Sequence, residues 1–165
     1  MVSQVEIIEA NSAKDYLAGK VLIEEYATTL GVDLYFQSFS EEIANLSGVY
    51  GTPRGCLLLA RIDRELGGCI AIRKRDTDIC EMKRLYVRPQ YRRVGLGRHL
   101  AETAIRFAQK LGYSRMVLDT LPSMAEAQSL YESLGFQEIT DYYPNPLAGV
   151  RYLARDLTSR EQHPA

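Results

Sequence analysis

Between Glu81 and Leu100 the chain passes from a strand-like segment through Arg92-Arg93-Val94-Gly95-Leu96-Gly97 into a long amphipathic helix. Ile79 to Val87 reads as the strand, ended by Arg88-Pro89. From Leu96 the period changes: Leu96, Leu100, Ala104, Phe107, Ala108 and Leu111 share one helical face, Arg98, Glu102, Arg106 and Gln109 the other, and Gly112 stops the helix. A helix start carries unpaired backbone N–H groups and the positive end of the dipole, so it suits an anion. Gly95 and Gly97 remove side chains there and let the backbone close on a ligand. Arg92, Arg93 and Arg98 add positive charge at the same place. Together these residues describe a pyrophosphate cradle.

The flanking elements limit which fold can carry it. Gln4 to Ile8 reads as a first strand, and Ser12 caps a helix running to about Leu30 and ended by Gly31. Ser40 to Leu46 forms a second helix, closed by Ser47-Gly48. Cys56 to Ile62 and Gly68 to Lys74 flank the turn-like Asp63-Arg64-Glu65 as a hairpin. After the long helix, Met116 to Leu118 is a short buried strand. Ser123 and Glu126 then form a capping box for a helix carrying Met124, Ala127, Leu130 and Leu134 on one face and ended by Gly135. A Pro-rich loop, Tyr142-Tyr143-Pro144-Asn145-Pro146, precedes a last strand from Val150 to Leu157. The order is β-α-α-β-β-β-α-β-α-β-β, an α+β layout with a mixed central sheet flanked by helices. Residues 1–158 are expected to form one domain and residues 159–165 a disordered tail.

Several function classes fit poorly. The 46% apolar and 25% charged composition is that of a globular protein. No apolar run approaches the roughly 20 residues that cross a bilayer, and the first residues lack a signal-peptide pattern, so the expectation is cytoplasmic with no membrane partner. Cys56, Cys69 and Cys80 have no Cys-x-x-Cys spacing and sit in apolar segments, which suggests buried reduced thiols. With only His99 and His163 besides, no metal is expected. Six basic residues and no acidic one lie between Met82 and Ala101, in a chain whose net charge is −1. A local basic knot suggests one compact anionic ligand rather than a nucleic acid, although a solvated face has the same composition.

A phosphate-binding P-loop needs Gly-Lys-Ser/Thr where Gly97-Arg98-His99 stands. A dinucleotide-binding Rossmann unit has partial support from strand, Gly-x-Gly, helix, strand and Asp119. However, Leu100 occupies the third glycine position and hairpin strands precede the unit. Arg92-x-x-Gly95-x-Gly97, after Leu85-Tyr86-Val87-Arg88-Pro89, resembles the Arg/Gln-x-x-Gly-x-Gly/Ala motif of the GNAT (GCN5-related) N-acetyltransferase superfamily. Ala127-x-x-Leu130-Tyr131-x-x-x-Gly135-Phe136 resembles that family's second landmark, on the helix after the next strand. The likeness covers roughly Cys56 to Leu157, and the element order agrees along the chain.

The resemblance implies acetyl-CoA as donor and direct acetyl transfer to a primary amine. It implies a bulged strand whose backbone at Leu85, Tyr86 and Val87 pairs with the pantetheine arm and polarises the thioester. Backbone amides of Arg93, Val94, Gly95, Leu96, Gly97 and Arg98, with Arg92, would hold the pyrophosphate. Tyr131 would protonate the departing thiolate; a core tyrosine between Leu130 and Leu134 has the same spacing. Glu81 would be the general base, and period-two alternation puts it on one side with Lys83 and Leu85. The alternative is a carboxylate paired with Lys83 or Arg84. Many members carry Asn near the start of the later helix, where Met124 stands here, so one polar contact to the cofactor is missing.

The N-terminal helices and the loop before the last strand would line the acceptor side, supplying Tyr35, Phe36, Gln37, Tyr142, Tyr143 and Asn145. Aromatic walls with amides suit a small amine or amino acid, while packing alone also explains Tyr35. The leading expectation is therefore a small-molecule amine acetyltransferase, monomeric or homodimeric. Protein lysine or N-terminal acetylation and a non-catalytic acyl-CoA-binding module are the alternatives.

Overall fold

A computed structural model describes residues 4–31 and 38–158. In chain order the elements are β1 (Val5–Glu9), α1 (Ala13–Leu30), α2 (Phe39–Ala44), α3 (Leu46–Tyr50), β2 (Cys56–Ile62), β3 (Glu65–Lys74), β4 (Ile79–Val87), α4 (Leu96–Lys110), β5 (Arg115–Thr120), α5 (Ala125–Ser133), β6 (Gln137–Ile139) and β7 (Arg151–Asp156). The strands form one seven-stranded sheet in the order β1-β2-β3-β4-β5-β7-β6, antiparallel throughout except for the parallel β4–β5 pair. This is the mixed sheet flanked by helices that the sequence implies.

The central strands are buried on both faces. In β2, Leu58 and Ala60 join the core beneath α4, with Ile70, Ile72, Leu100 and Ala104. Leu57 and Leu59 point the other way, into a second core with Leu22 and Ile23 of α1 and Tyr50 of α3. Alternation therefore feeds two cores, and the strand sequence Cys56-Leu57-Leu58-Leu59-Ala60 is apolar without interruption. The three cysteines lie free within these cores, and burial pushes each thiol up to about 12.

Local signals explain most boundaries, and the exceptions have physical causes. The Ser12 side chain accepts from the Asp15 N–H at 3.2 Å and caps α1 as its position suggests. Asp63 (φ 49) and Arg64 (φ 73) make a two-residue turn, so β3 starts at Glu65, earlier than the expected Gly68. Ser47-Gly48 does not end a helix. The chain kinks at Asn45 (φ −144) and resumes as α3, whose Leu46 and Tyr50 are buried. The capping box at Ser123 and Glu126 does not form: Met124 occupies the cap position without a side-chain hydrogen bond. Instead the Leu121 carbonyl accepts from the Met124 N–H at 3.0 Å and from Gln128 Nε2 at 2.8 Å.

Candidate active site

The site is built where β4 and β5 part. Their pairing runs only from Ile79↔Arg115 to Glu81↔Val117, and beyond Glu81 the strands diverge. The cause lies in β4. Opposite β3, Cys69 pairs with Tyr86 and Ala71 with Lys83, so two residues of β4 face one residue of β3. Arg84 (φ 62) is in the left-handed region, which gives this bulge its geometry. The extra residue reverses the alternation. Glu81, Lys83, Arg84 and Tyr86 sit on the α1 face or at the bulge, whereas Leu85 and Val87 pack with Cys80 and Met82 toward α4. Leu85 therefore does not share a side with Glu81 and Lys83, contrary to simple alternation.

The divergence opens a cleft of about 620 Å³ lined by Leu85, Tyr86 and Val87 of β4, by Arg92, Arg93, Gly95, Leu96 and Gly97, by Tyr26 and Leu30 of α1, and by Ala127 and Leu130 of α5. At its mouth, Arg93 (φ 68) and Gly95 (φ 82) turn the chain into α4. No side chain caps that helix and its first turn holds no acidic residue, so its leading N–H groups are open to an anion. The Arg92 guanidinium donates from Nε to the Val87 carbonyl at 2.9 Å and so ties the loop to the strand end. Arg98 turns away to Ser133 Oγ (2.5 Å) and Glu102 (3.5 Å), and Val94 is exposed; neither side chain lines the cleft.

Gly97 tests the fit of a ligand. A Cβ placed there would meet only Leu130 at 3.8 Å and Val87 at 3.9 Å, which is ordinary contact. The fold itself thus tolerates a side chain at Gly97, while the added carbon would stand between two residues of the cleft wall. Gly97→Ala should keep or raise the melting temperature, since Gly costs roughly 1 kcal/mol against Ala within a helix. The same change should weaken binding of a pyrophosphate-bearing ligand by about tenfold or more in titration calorimetry, the loss being one of approach to backbone N–H groups. Unchanged affinity would remove the phosphate from this position.

Deeper in, a small cavity of about 50 Å³ adjoins the cleft and shares Tyr26, Leu30, Leu85, Met124 and Ala127 with it. Lys83, Arg84, Asp119, Thr120, Tyr131 and Leu147 complete its wall. Tyr131 is 7% exposed and packs edge-on against Phe136 at 5.8 Å. Burial, then the nearby Tyr26 and Asp119, hold its phenol well above the ordinary 10, so it stays protonated.

Glu81 is fully buried and lines neither cavity. It pairs with Arg73 Nε at 2.8 Å and accepts from the Tyr142 hydroxyl at 2.5 Å. Burial pushes its carboxyl up, but Lys83, Arg73 and those two hydrogen bonds outweigh this and leave it below the usual carboxylate range. It pairs with Arg73 rather than with either neighbour on its own strand. Arg84 instead forms a bidentate pair with Glu42 of α2, both bonds 2.8 Å.

The loop before β7 is pinned to this region. Tyr143 donates to Asp119 Oδ2, Asn145 Nδ2 donates to the same oxygen at 3.4 Å, and Tyr142 and Tyr143 both pack edge-on against Tyr152. Arg75 lies over the Tyr142 ring at 5.1 Å. Tyr142, Tyr143 and Asn145 therefore form a layer behind the inner cavity, although none lines it. Tyr35, Phe36 and Gln37 lie outside the described residues. The residues the sequence did not single out for the site are Asp119, Lys83 and Arg73. The signal for Lys83 was Glu81-Met82-Lys83-Arg84, three charges inside a central strand that is apolar on either side.

Among the described residues no group of three or more His, Cys, Asp or Glu side chains could hold a metal ion, and no helix is long and apolar enough to cross a membrane. The model of the acetyltransferase (GNAT) family matches residues 21–136. An uncharacterized N-acetyltransferase of Schizosaccharomyces pombe is 40% identical over 158 residues, covering 94% of this chain and 97% of that protein. The crystal structure of an acetyltransferase from Streptococcus agalactiae superposes with a TM-score of 0.76 at 26% identity, covering 92% of this chain and 98% of that one. An acetyltransferase from Salmonella typhimurium, solved with its cofactor acetyl-CoA, shares the fold at a TM-score of 0.65 and 19% identity, covering 98% of this chain and 96% of that one. The bulged and splayed β4, the uncapped glycine turn into α4 and these matches together place the chain in the GNAT acetyltransferase family.

Proposed function

We propose that the protein transfers the acetyl group of acetyl-CoA directly to the primary amine of a small metabolite or amino acid. The observation that carries this is the wedge between β4 and β5, with an uncapped helix start at its mouth and a buried tyrosine at its inner end. Backbone N–H groups from Arg93 to Gly97 take the pyrophosphate, and the unpaired edge of β4 from Leu85 to Val87 takes the pantetheine arm as an added strand. Bound acetyl-CoA supplies an activated thioester carbonyl. A β4 amide at the bulge donates to its oxygen as negative charge develops there. Tyr131, kept neutral by burial, donates to the thiolate that leaves.

An amine acceptor is mostly protonated at neutral pH and must lose a proton before it attacks. Glu81 was expected to take that proton, but its contacts make it the anchor of Arg73 and Tyr142. Asp119 lines the inner cavity, oriented by Tyr143 and Asn145, and we assign the proton-accepting role to it. The test is release of coenzyme A thiol across a panel of primary amines. Thiol release matched by acetylated amine is the expected result. Absence of acetyl-CoA binding by calorimetry would overturn the reading.

A further inference from the structure

Lys83 is a cation without an assigned purpose. It is 6% exposed in a central strand, and it lines the inner cavity together with Tyr131. The charges around it are otherwise matched. Arg84 is bound to Glu42 through two hydrogen bonds and Arg73 to Glu81 through one, both at 2.8 Å. Lys83 itself has no hydrogen bond or ion pair among the described residues. A buried ammonium normally has a partner, because taking its charge out of water is costly. Here its donors border on space rather than on an acceptor.

That space also carries the opposite charge. Asp119 lies on the wall of the same cavity. With Arg84 on that wall already bound to Glu42, the Lys83 cation and the Asp119 carboxylate on a chamber of about 50 Å³ are complementary to a molecule that bears an ammonium and a carboxylate a few bonds apart. Resting on the acetyltransferase reading above, we infer that the acceptor is a free amino acid, its carboxylate bound by the Lys83 ammonium while its amine faces Asp119 and the thioester. The geometry separates this class from a protein substrate. The amine at a polypeptide N-terminus is followed by a peptide carbonyl, and a lysine side chain carries no carboxylate at its tip, so neither offers Lys83 an anion. Burial lowers the basicity of Lys83, an effect that the nearby Glu81 and Asp119 oppose, and a bound carboxylate would act in the same sense as those two.

The wild-type chain decides the matter first. Thiol release is measured with amino acids of acidic, polar and apolar side chain, each beside its own α-amide and its decarboxylated amine. The carboxylate-bearing member should be used with a kcat/KM about 100-fold or more above its two partners, the scale expected when a buried charge loses its counter-charge. Lys83→Met, which keeps the length and removes the charge, should erase that preference chiefly through KM. It should leave turnover of the amides within a few fold and acetyl-CoA affinity unchanged. Equal use of acid, amide and amine by the wild-type chain overturns the inference while leaving the acetyltransferase reading intact. An equal loss on acid and amide in Lys83→Met also overturns it, since that would mark a structural role. Failure to bind acetyl-CoA, or to release thiol with any amine, overturns both. If the variant does not fold, the wild-type comparison still decides.

Discussion

Replacing Tyr131 with phenylalanine should lower kcat by about 100- to 1,000-fold, within the usual range for a positioned proton donor, and leave acetyl-CoA affinity within about twofold. The separation follows from where the residue sits. Tyr131 lines the inner cavity and not the larger cleft, so the pyrophosphate and pantetheine contacts do not pass through it. Its ring packs edge-on against Phe136, a contact that phenylalanine at 131 would keep. The substitution therefore removes one hydroxyl from a wall that is otherwise unchanged. Burial raises the phenol, so it carries its proton across the whole working range, and a loss of activity at alkaline pH should not arise from its ionisation. The measurement is steady-state kinetics beside calorimetry on the same preparation. A variant with wild-type kcat would make Tyr131 a packing residue, and a variant with weakened acetyl-CoA binding would place its effect in the cleft.

The parts of this site that were legible in the sequence are those set by neighbours in the chain. The turn into α4 needs two left-handed residues and an open helix start, and Arg93-Val94-Gly95-Leu96-Gly97 supplies them consecutively. Tyr131 was marked by the resemblance of Ala127-x-x-Leu130-Tyr131 to the family's landmark, helical spacing alone being equally that of a core tyrosine, and the structure puts it on the wall of the inner cavity. The acceptor side was not legible, because there the outcome depends on register. One extra residue at Arg84 reverses which face Leu85 joins, and it lets Arg84 reach Glu42, 42 residues earlier. Glu81 finds Arg73 across the β3–β4 pair, where the two are register partners, rather than Lys83 beside it on β4. No local pattern distinguishes these pairings: Glu81 has Arg73, Lys74, Arg75, Lys83 and Arg84 near it in sequence, whereas Glu42 has no basic residue within ten positions. What the sequence does show is that three charges enter a strand buried on both faces, and such charges must be paired there or serve a ligand.

Glu42→Ala should be the most destabilising single change near the site, costing about 3–5 kcal/mol. Both side chains of its pair are nearly inaccessible, at 4% for Arg84 and 3% for Glu42, so no water replaces the lost carboxylate. The Arg84 guanidinium is held at Nε and Nη2 and lies over the Phe39 ring at 5.5 Å, which leaves it little freedom to swing outward. For a chain of this size the cost corresponds to a fall of roughly 6–20 °C in melting temperature. Removing both charges tests the cause. Glu42→Leu combined with Arg84→Met should recover most of the loss, because a matched apolar pair avoids the desolvation that the lone cation suffers. The pH dependence carries a second check. Burial pushes the Glu42 carboxyl up, but the hydrogen bonds and charge of Arg84 outweigh it and hold the group below its ordinary value. A depressed folded pKa gives stability that is fully present above the unfolded value near 4.3 and is lost as pH falls through the folded one. The gap between wild type and Glu42→Ala should therefore be constant from neutral pH to about 5 and narrow below it. A gap that persisted undiminished to pH 2 would mean that Glu42 acts through packing. Because Arg84 is the extra residue of the bulge, the same variant should also loosen the divergence of β4 from β5 and weaken acetyl-CoA binding, an effect the Tyr131 variant lacks.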